Sequence, residues 1–342
     1  MNRVDIARFE FDYDTTWAGF FTDSKLRIYS RYGGRDEHEP ESRLSKASLL
    51  QTMREVLDAH KSARAATTGV ANAAPIWQPE PKSSTTPLDI PLLKKNHQGC
   101  VHCHQVREYG LLQAYHDKRF NREMLFTFPL PESLGIEIDR THGHRVARVR
   151  EAFAAAQLNA GDVVLRCADV PIRSELDLRW ALHRLPSNSD RVPLLVERPL
   201  EKSSDSAMQR LEVQIALPPG WRQSELSWRK SARSVPSDWG FRAAALAKFE
   251  RREAGLPETG LAIRVLSIKP RGLAQALGLQ KGDVITALGD DTRERTLDRL
   301  RSDMLRRFAP GDEIRMKIRR GEEPLELSGK FPAWFTEETT VP

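Results

Sequence analysis

Cysteine is scarce in this chain, three in 342 residues. Three thiols cannot frame a disulfide-stapled fold, and a chain this long buries a sizeable core without staples. Long apolar runs are missing as well. None approaches the roughly 18 residues of a membrane-spanning helix. Met1-Asn2-Arg3-Val4-Asp5 has no apolar core of the kind a signal peptide carries. Charge of one sign is also absent: 53 Lys and Arg are interleaved with 47 Asp and Glu, for a net charge of +6. A nucleic-acid binder clusters its cations on one face or stripe. The basic runs here are pairs (Arg229-Lys230, Arg251-Arg252, Arg306-Arg307, Arg319-Arg320) and read as solvated surface, so no nucleic-acid partner is expected. No Gly-x-Ser-x-Gly elbow appears. Carboxylate pairs such as Asp290-Asp291 read as turn residues, and no enzyme is read from the chain as it stands.

What is present begins with Gly99-Cys100-Val101-His102-Cys103-His104. Two of the three cysteines sit here with a histidine directly after the second, the C-x-x-C-H signature of covalent haem c attachment. Two thiols one turn apart can add to the two vinyl groups of one porphyrin, and the next imidazole then falls under the iron. Three readings stand. The first is haem c on Cys100, Cys103 and His104, with a distal ligand from His116 or Met124 and, behind them, His97 or His60. The second is a zinc or other metal site using Cys100, Cys103, His102 or His104. The third is a redox dithiol or a structural pair. The third cysteine, Cys167, lies in an apolar run and reads as a buried, inert thiol. His142 and His144 fall in a loop, where metal binding is a minor reading.

A hydrophobic fraction of 39% and a charged fraction of 29% describe a globular chain of two or three domains. Residues 15–21 and 26–29 read as a hairpin across the turn Thr22-Asp23-Ser24-Lys25, broken by Tyr32-Gly33-Gly34-Arg35-Asp36. A helix over 45–60 follows, with Ser45 as N-cap and Leu49, Leu50, Met53, Val56 and Leu57 as its apolar stripe. One hairpin and one helix bury too little, so a partner or missing segment must cover them. Residues 62–95 are a Pro-rich linker, and a helix is expected over 103–119.

From 125 onward, two stretches share one order. The first has Leu134-Gly135-Ile136, a strand at 146–149, an Ala-rich helix at 151–158, Gly161-Asp162, a strand at 163–165, a helix at 174–185 and strands at 192–196 and 211–216. The second has Trp239-Gly240-Phe241, a strand at 261–266, a helix at 272–277, Gly282-Asp283, Val284-Ile285, a helix at 296–308 and strands at 313–318 and 325–327. We read an internal duplication. Trp221, Trp228 and Trp239 are expected to pack between the modules.

These repeats resemble PDZ domains, and the phrase from Leu279 through Gly282-Asp283-Val284-Ile285 resembles the bacterial protease-associated type. The resemblance implies carboxylate-binding turns at Leu134, Gly135, Ile136 and at Trp239, Gly240, Phe241. It also implies a groove for an added strand against the helices at 174–185 and 296–308, with protein or peptide C-termini as partners. A charged insertion at 248–258 is expected to block the second groove. The whole chain is similar to a bacterial family joining a thioredoxin-like domain to PDZ domains, some members being selenoproteins. The phrases Phe9-Glu10-Phe11-Asp12-Tyr13-Asp14, Ile28-Tyr29-Ser30-Arg31-Tyr32-Gly33, Cys100-Val101-His102-Cys103-His104-Gln105-Val106 and Leu226-Ser227-Trp228-Arg229 carry it.

That resemblance implies an α+β chain. Its segments are the C-terminal half of a thioredoxin-like domain (1–62), the linker (63–98), a C-x-x-C-H helical segment (99–124), two tandem PDZ-like β-barrel domains (125–220 and 221–334) and a tail (335–342). The family's redox pair lies upstream of these elements, and Thr15-Thr16 stands where thioredoxins proper carry a cis-proline. The expectation is therefore an N-terminally truncated chain. It would be a thiol-disulfide oxidoreductase only with the missing half restored, and extracytoplasmic in that form, whereas the chain as it stands reads as cytoplasmic. The functional expectation is a peptide-binding scaffold, with a haem- or metal-bearing electron-transfer protein as the alternative.

Overall fold

The computed structural model describes residues 1–67, 83–150, 158–200, 207–232, 239–270 and 272–331. The chain divides into two compact units, Met1–Arg107 with Phe126–Ser224, and Glu108–Leu125 with Glu225–Pro342.

The first unit opens with an antiparallel hairpin, β1 (Ala18–Thr22) and β2 (Ile28–Gly33), with a bulge between Phe21 and Thr22. The expected break at Tyr32-Gly33 lies inside β2. Every β2 residue is buried, so its sequence lacks the polar alternation that marks a half-exposed strand. Helix α1 (Lys46–Thr67) starts where Ser45 predicts: the Ser48 N–H donates to Ser45 Oγ at 3.0 Å. It runs past His60 because Ser62, Ala63 and Arg64 do not break a helix. Val56 and Ala59 pack on Tyr29, while Leu50, Met53 and Leu57 stay exposed. The Pro-rich stretch holds a short helix, α2 (Pro91–Asn96), and α3 (Cys103–His116) follows the thiol motif.

The first module comprises β3 (Ile136–Ile138), β4 (Val146–Val149), β5 (Val163–Cys167), β6 (Val170–Pro171), α4 (Glu175–Arg184), β7 (Arg191–Pro199) and β8 (Met208–Ala216). β3 pairs with β4, the second sheet runs β6-β5-β7-β8, and a bridge from Arg145 to Val163 joins them. Residues 151–157 of the expected Ala-rich helix lie outside the described residues. The core holds Leu158, Val164, Leu178, Leu182, Val196 and Trp221. Trp221 thus sits inside this module instead of beside it.

In the second unit, one five-stranded sheet runs β13-β12-β11-β10-β9. Its elements are β9 (Phe241–Ala245), α5 (Lys248–Glu253), β10 (Ile263–Ile268), α6 (Leu273–Ala276), β11 (Val284–Leu288), α7 (Leu297–Arg307), β12 (Glu313–Arg320) and β13 (Glu323–Lys330). Trp239 packs edge-on against Phe331, their centroids 5.2 Å apart. No described helix is long and apolar enough to cross a membrane.

The duplication holds bond by bond. Asp162 accepts the Asn159 N–H at 2.8 Å and the Arg198 fork at 2.8 Å on each oxygen. Asp283 accepts the Gln280 N–H at 2.8 Å and the Arg320 fork at 2.9 Å on each oxygen. Gly161 and Gly282 take φ of 93° and 97°, and their N–H groups reach Val146 O and Val265 O, each at 2.8 Å. A side chain is strained at such φ values, which accounts for the glycines.

His144 clamps α1 to the first module. Its Nδ1 faces Val164 O at 3.0 Å and Ile172 O at 3.2 Å, and its Nε2 faces Glu55 Oε1 at 2.9 Å. Acceptors at both nitrogens call for the imidazolium, which alone donates from both. Burial pushes this group down, but the hydrogen bond and charge of Glu55, with the two carbonyls, hold it above its ordinary 6.5. A raised folded-state pKa gives stability that is fully present below the unfolded value and lost as pH rises through the folded one. The wild type should therefore lose urea stability relative to Glu55→Gln as pH climbs from about 6 to about 9. Parallel pH profiles would remove the clamp from the account.

Candidate peptide grooves and the thiol pair

In each module a glycine turn leads into the first strand, and a helix lies elsewhere in the same module. Gly135 and Gly240 take φ of 72° and 67°. The Arg150 N–H reaches Gly135 O at 2.8 Å, and the Lys269 N–H reaches Gly240 O at 2.6 Å. At Gly240 a Cβ would come within 2.7 Å of Gly272 Cα, so the turn requires glycine on two counts. Leu134, Ile136, Trp239 and Phe241 are buried at 2, 1, 4 and 5% exposure. These side chains are core, and only turn backbone could meet a ligand.

The helices differ. From Glu175 to Leu182 every residue of α4 is buried, because the N-terminal segment lies on it. Asp177 accepts the Ser30 hydroxyl at 2.6 Å and the Arg31 N–H at 2.8 Å. Arg179 donates to Asp12 Oδ2 at 2.7 Å, and both side chains are fully buried. Trp180 Nε1 donates to Glu10 at 2.9 Å, and the Arg31 guanidinium lies 3.6 Å from the Trp180 ring centroid. Arg43 joins Asp36, Glu132 and Glu175 at 2.6, 2.7 and 3.0 Å. Burial pushes the Glu175 and Asp177 carboxyls up and lowers Arg31 to about 10. The cover expected over the hairpin is thus supplied within the same unit by α4.

In the second module, Glu225 pairs with Arg299 at 2.5 Å and the Leu226 N–H reaches Ser302 Oγ at 2.9 Å, so the chain before the turn follows part of α7. β9 ends its sheet with Arg242, Ala244 and Ala245 exposed. The Leu246 N–H turns inward to Ala262 O at 2.9 Å. Successive N–H groups along a strand alternate in direction, so that of Ala245 points outward. The 248–258 insertion packs instead on β10, where Glu250 meets Arg264 at 2.7 Å.

No family model matches the sequence, and no curated protein matches it. Solved structures do. One is the crystal structure of the HtrA3 PDZ domain bound to a phage-derived ligand (FGRWV). It is 22% identical over 26% of this chain and 78% of that one, with a TM-score of 0.22. Another is the HtrA-type protease AlgW with decapeptide, 18% identical over 42% of this chain and 50% of that one, TM-score 0.24. A third is the serine endoprotease from Yersinia pestis, 14% identical over 40% of this chain and 42% of that one, TM-score 0.19. The chain spans half or less of the two protease chains.

The thiol motif straddles a helix start. Cys100 is exposed in the preceding loop, and Cys103 and His104 begin α3. Asn2 pins the loop, accepting the Val101 N–H at 2.8 Å and donating to Gly99 O at 3.1 Å. The His102 and His104 rings stack at 6.0 Å. Burial pushes the Cys103 thiol up, whereas a redox-active thiol needs its pKa lowered. His116 and Met124 belong to the second unit. Among the described residues, no group of three or more His, Cys, Asp and Glu is gathered to hold a metal ion. Cys167 is fully buried, its thiol pushed up to about 12, as an inert core group should be.

The N-terminal dock gives a direct test. Asp12→Ala removes the carboxylate facing buried Arg179 and should cost about 3–5 kcal/mol in urea unfolding, whereas Asp12→Leu with Arg179→Met should cost much less. Equal losses for the single and double variants would mean that the pair is not the determinant.

Proposed function

We propose that this chain is a peptide-binding scaffold of two PDZ-like modules, of which the second takes an extended peptide and the first holds the chain's own N-terminal segment. One contrast carries the reading: β9 ends its sheet with exposed alanines and an outward N–H at Ala245, while α4 has no free side from Glu175 to Leu182. An unpaired strand edge is a template for an added strand, and alanine side chains leave room for a second backbone. The Gly240 turn at the head of β9 is where a terminal carboxylate would sit, which makes free C-termini the ligand class.

A second reading rests on the motif at α3. Exposed Cys100 and the first-turn pair Cys103 and His104 are the groups that would hold covalent haem c, the two thiols as thioethers and the imidazole on iron. The haem would supply one-electron chemistry; the chain supplies the loop that Asn2 fixes and the helix start that sets the imidazole. With it goes the proposal that β1, β2 and α1 are the end of a thioredoxin-like fold.

Phage selection on the full chain should enrich free C-terminal peptides. Ala245→Pro, which removes an outward donor and no ladder bond, should weaken a selected peptide at least about tenfold. Amidating the peptide should do the same. Failure to enrich, or full affinity in Ala245→Pro, would sink the reading. Separately, protein made in an exporting, haem-attaching host should show a Soret band that survives acid-acetone extraction and disappears in Cys100→Ser. A colourless product would remove the haem.

A further inference from the structure

The 248–258 insertion builds a feature that the groove does not use. Residues 256–261 face β11, β12 and β13 across a slot of about 690 Å³, within the range of small-molecule sites. Leu256, Leu261, Ala287, Ile318 and Leu325 give it an apolar lining.

Its charges are unevenly met. Lys317 pairs with Asp290 at 2.8 Å and lies opposite Glu326 across the strands. Arg251, 4% exposed, donates to Gly260 O at 2.8 Å and Leu246 O at 3.4 Å, with the exposed Glu294 carboxylate at 3.4 Å. Arg319 donates from its two terminal nitrogens to backbone carbonyls, Gly255 O at 3.1 Å and Glu322 O at 3.3 Å. Its Nε is buried and meets no acceptor among the described residues. That donor leaves hydrogen-bonding capacity on the guanidinium beside the slot.

We infer that this slot binds a short apolar chain ending in a carboxylate, with the head on the Arg319 guanidinium and the tail against Leu256, Leu261 and Leu325. A carboxylate accepts from Nε and a terminal nitrogen of one guanidinium together, a geometry that neither a hydroxyl nor a cation can reproduce. The site is separate from the β9 edge and does not depend on peptide binding there.

Calorimetric titration of the full chain with sodium octanoate tests it. Saturable binding with a Kd below about 1 mM is expected, and octanol and octylamine should bind at least about tenfold more weakly. Arg319→Gln should lose at least about tenfold in octanoate affinity, and Arg319→Lys should recover only part because it keeps the charge without the fork. Ala245→Pro should leave octanoate binding unchanged, which separates this site from the groove. If Arg319→Gln fails to fold, Leu256→Asp, which puts a negative charge in the slot, should abolish binding. Octanol binding as tightly as octanoate, unaltered affinity in a folded Arg319→Gln, or no saturation would each overturn the inference.

Discussion

Asp162 and Asp283 each sit buried in a Gly-Asp turn, where one carboxylate ties together the backbone before the turn and an arginine from a distant strand. The turn glycine holds a positive φ and bonds back to the strand that precedes it. Each module's strand order follows from this tie, since it fixes β5 or β11 against both its earlier and its later neighbour. The forked arginine geometry explains why Arg198 and Arg320 stand there: a lysine could not hold both oxygens in plane. Burying such a pair is not in itself a gain in stability. Its effect is on register, because no neighbouring residue could replace Asp without leaving the fork unmet.

The two modules then part company in what lies on their helices. α4 is covered by a segment that brings its own carboxylates and guanidiniums, Asp12 to Arg179 and Arg31 beside Asp177, so its polar residues are buried and still partnered. α7 keeps Arg299, Arg301 and Arg307 partly open to solvent, and β9 keeps a bare edge. The first module's helix is thus covered by the chain's own N-terminal segment, whereas α7 and the β9 edge of the second stay partly exposed. The position equivalent to buried Ile263 holds His144 in the first module, and there the imidazolium reaches out to Glu55. At that one position the modules differ by an apolar against an ionisable side chain, and only the ionisable one attaches to α1.

Much of the skeleton was legible. Ser45, Ser174 and Thr296 mark helix starts because a side-chain oxygen at the N-cap satisfies a local N–H. The two Gly-Asp phrases mark matching turns for a similarly local reason. Less legible were the full extent of β2 and the burial of α4, whose helix was itself expected at 174–185. Both are buried on all sides, so the alternation and the apolar stripe that betray a half-exposed element are missing, and charged residues such as Arg179 and Asp177 read as surface. The exposed stripe of Leu50, Met53 and Leu57 misleads in the opposite direction. The candidate site divides likewise: the glycines of the turns could be named from the resemblance to PDZ domains, but the outward N–H of Ala245 depends on strand pairing. Nothing in 248–258 announced a slot, since its lining comes from strands far along the chain.

By itself the sequence determined which residues turn, cap and repeat, because those properties depend on neighbours within a few positions. It also determined that two thiols and an imidazole fall within five consecutive residues, Cys100 to His104. Tertiary structure alone decided that the N-terminal segment lies on α4, that His144 is shifted toward its doubly protonated form, and that the guanidinium of Arg319 borders an apolar slot. Each of these depends on groups brought together from tens of residues away or more, where burial and long-range pairing outweigh local preference and leave no trace in the order of residues.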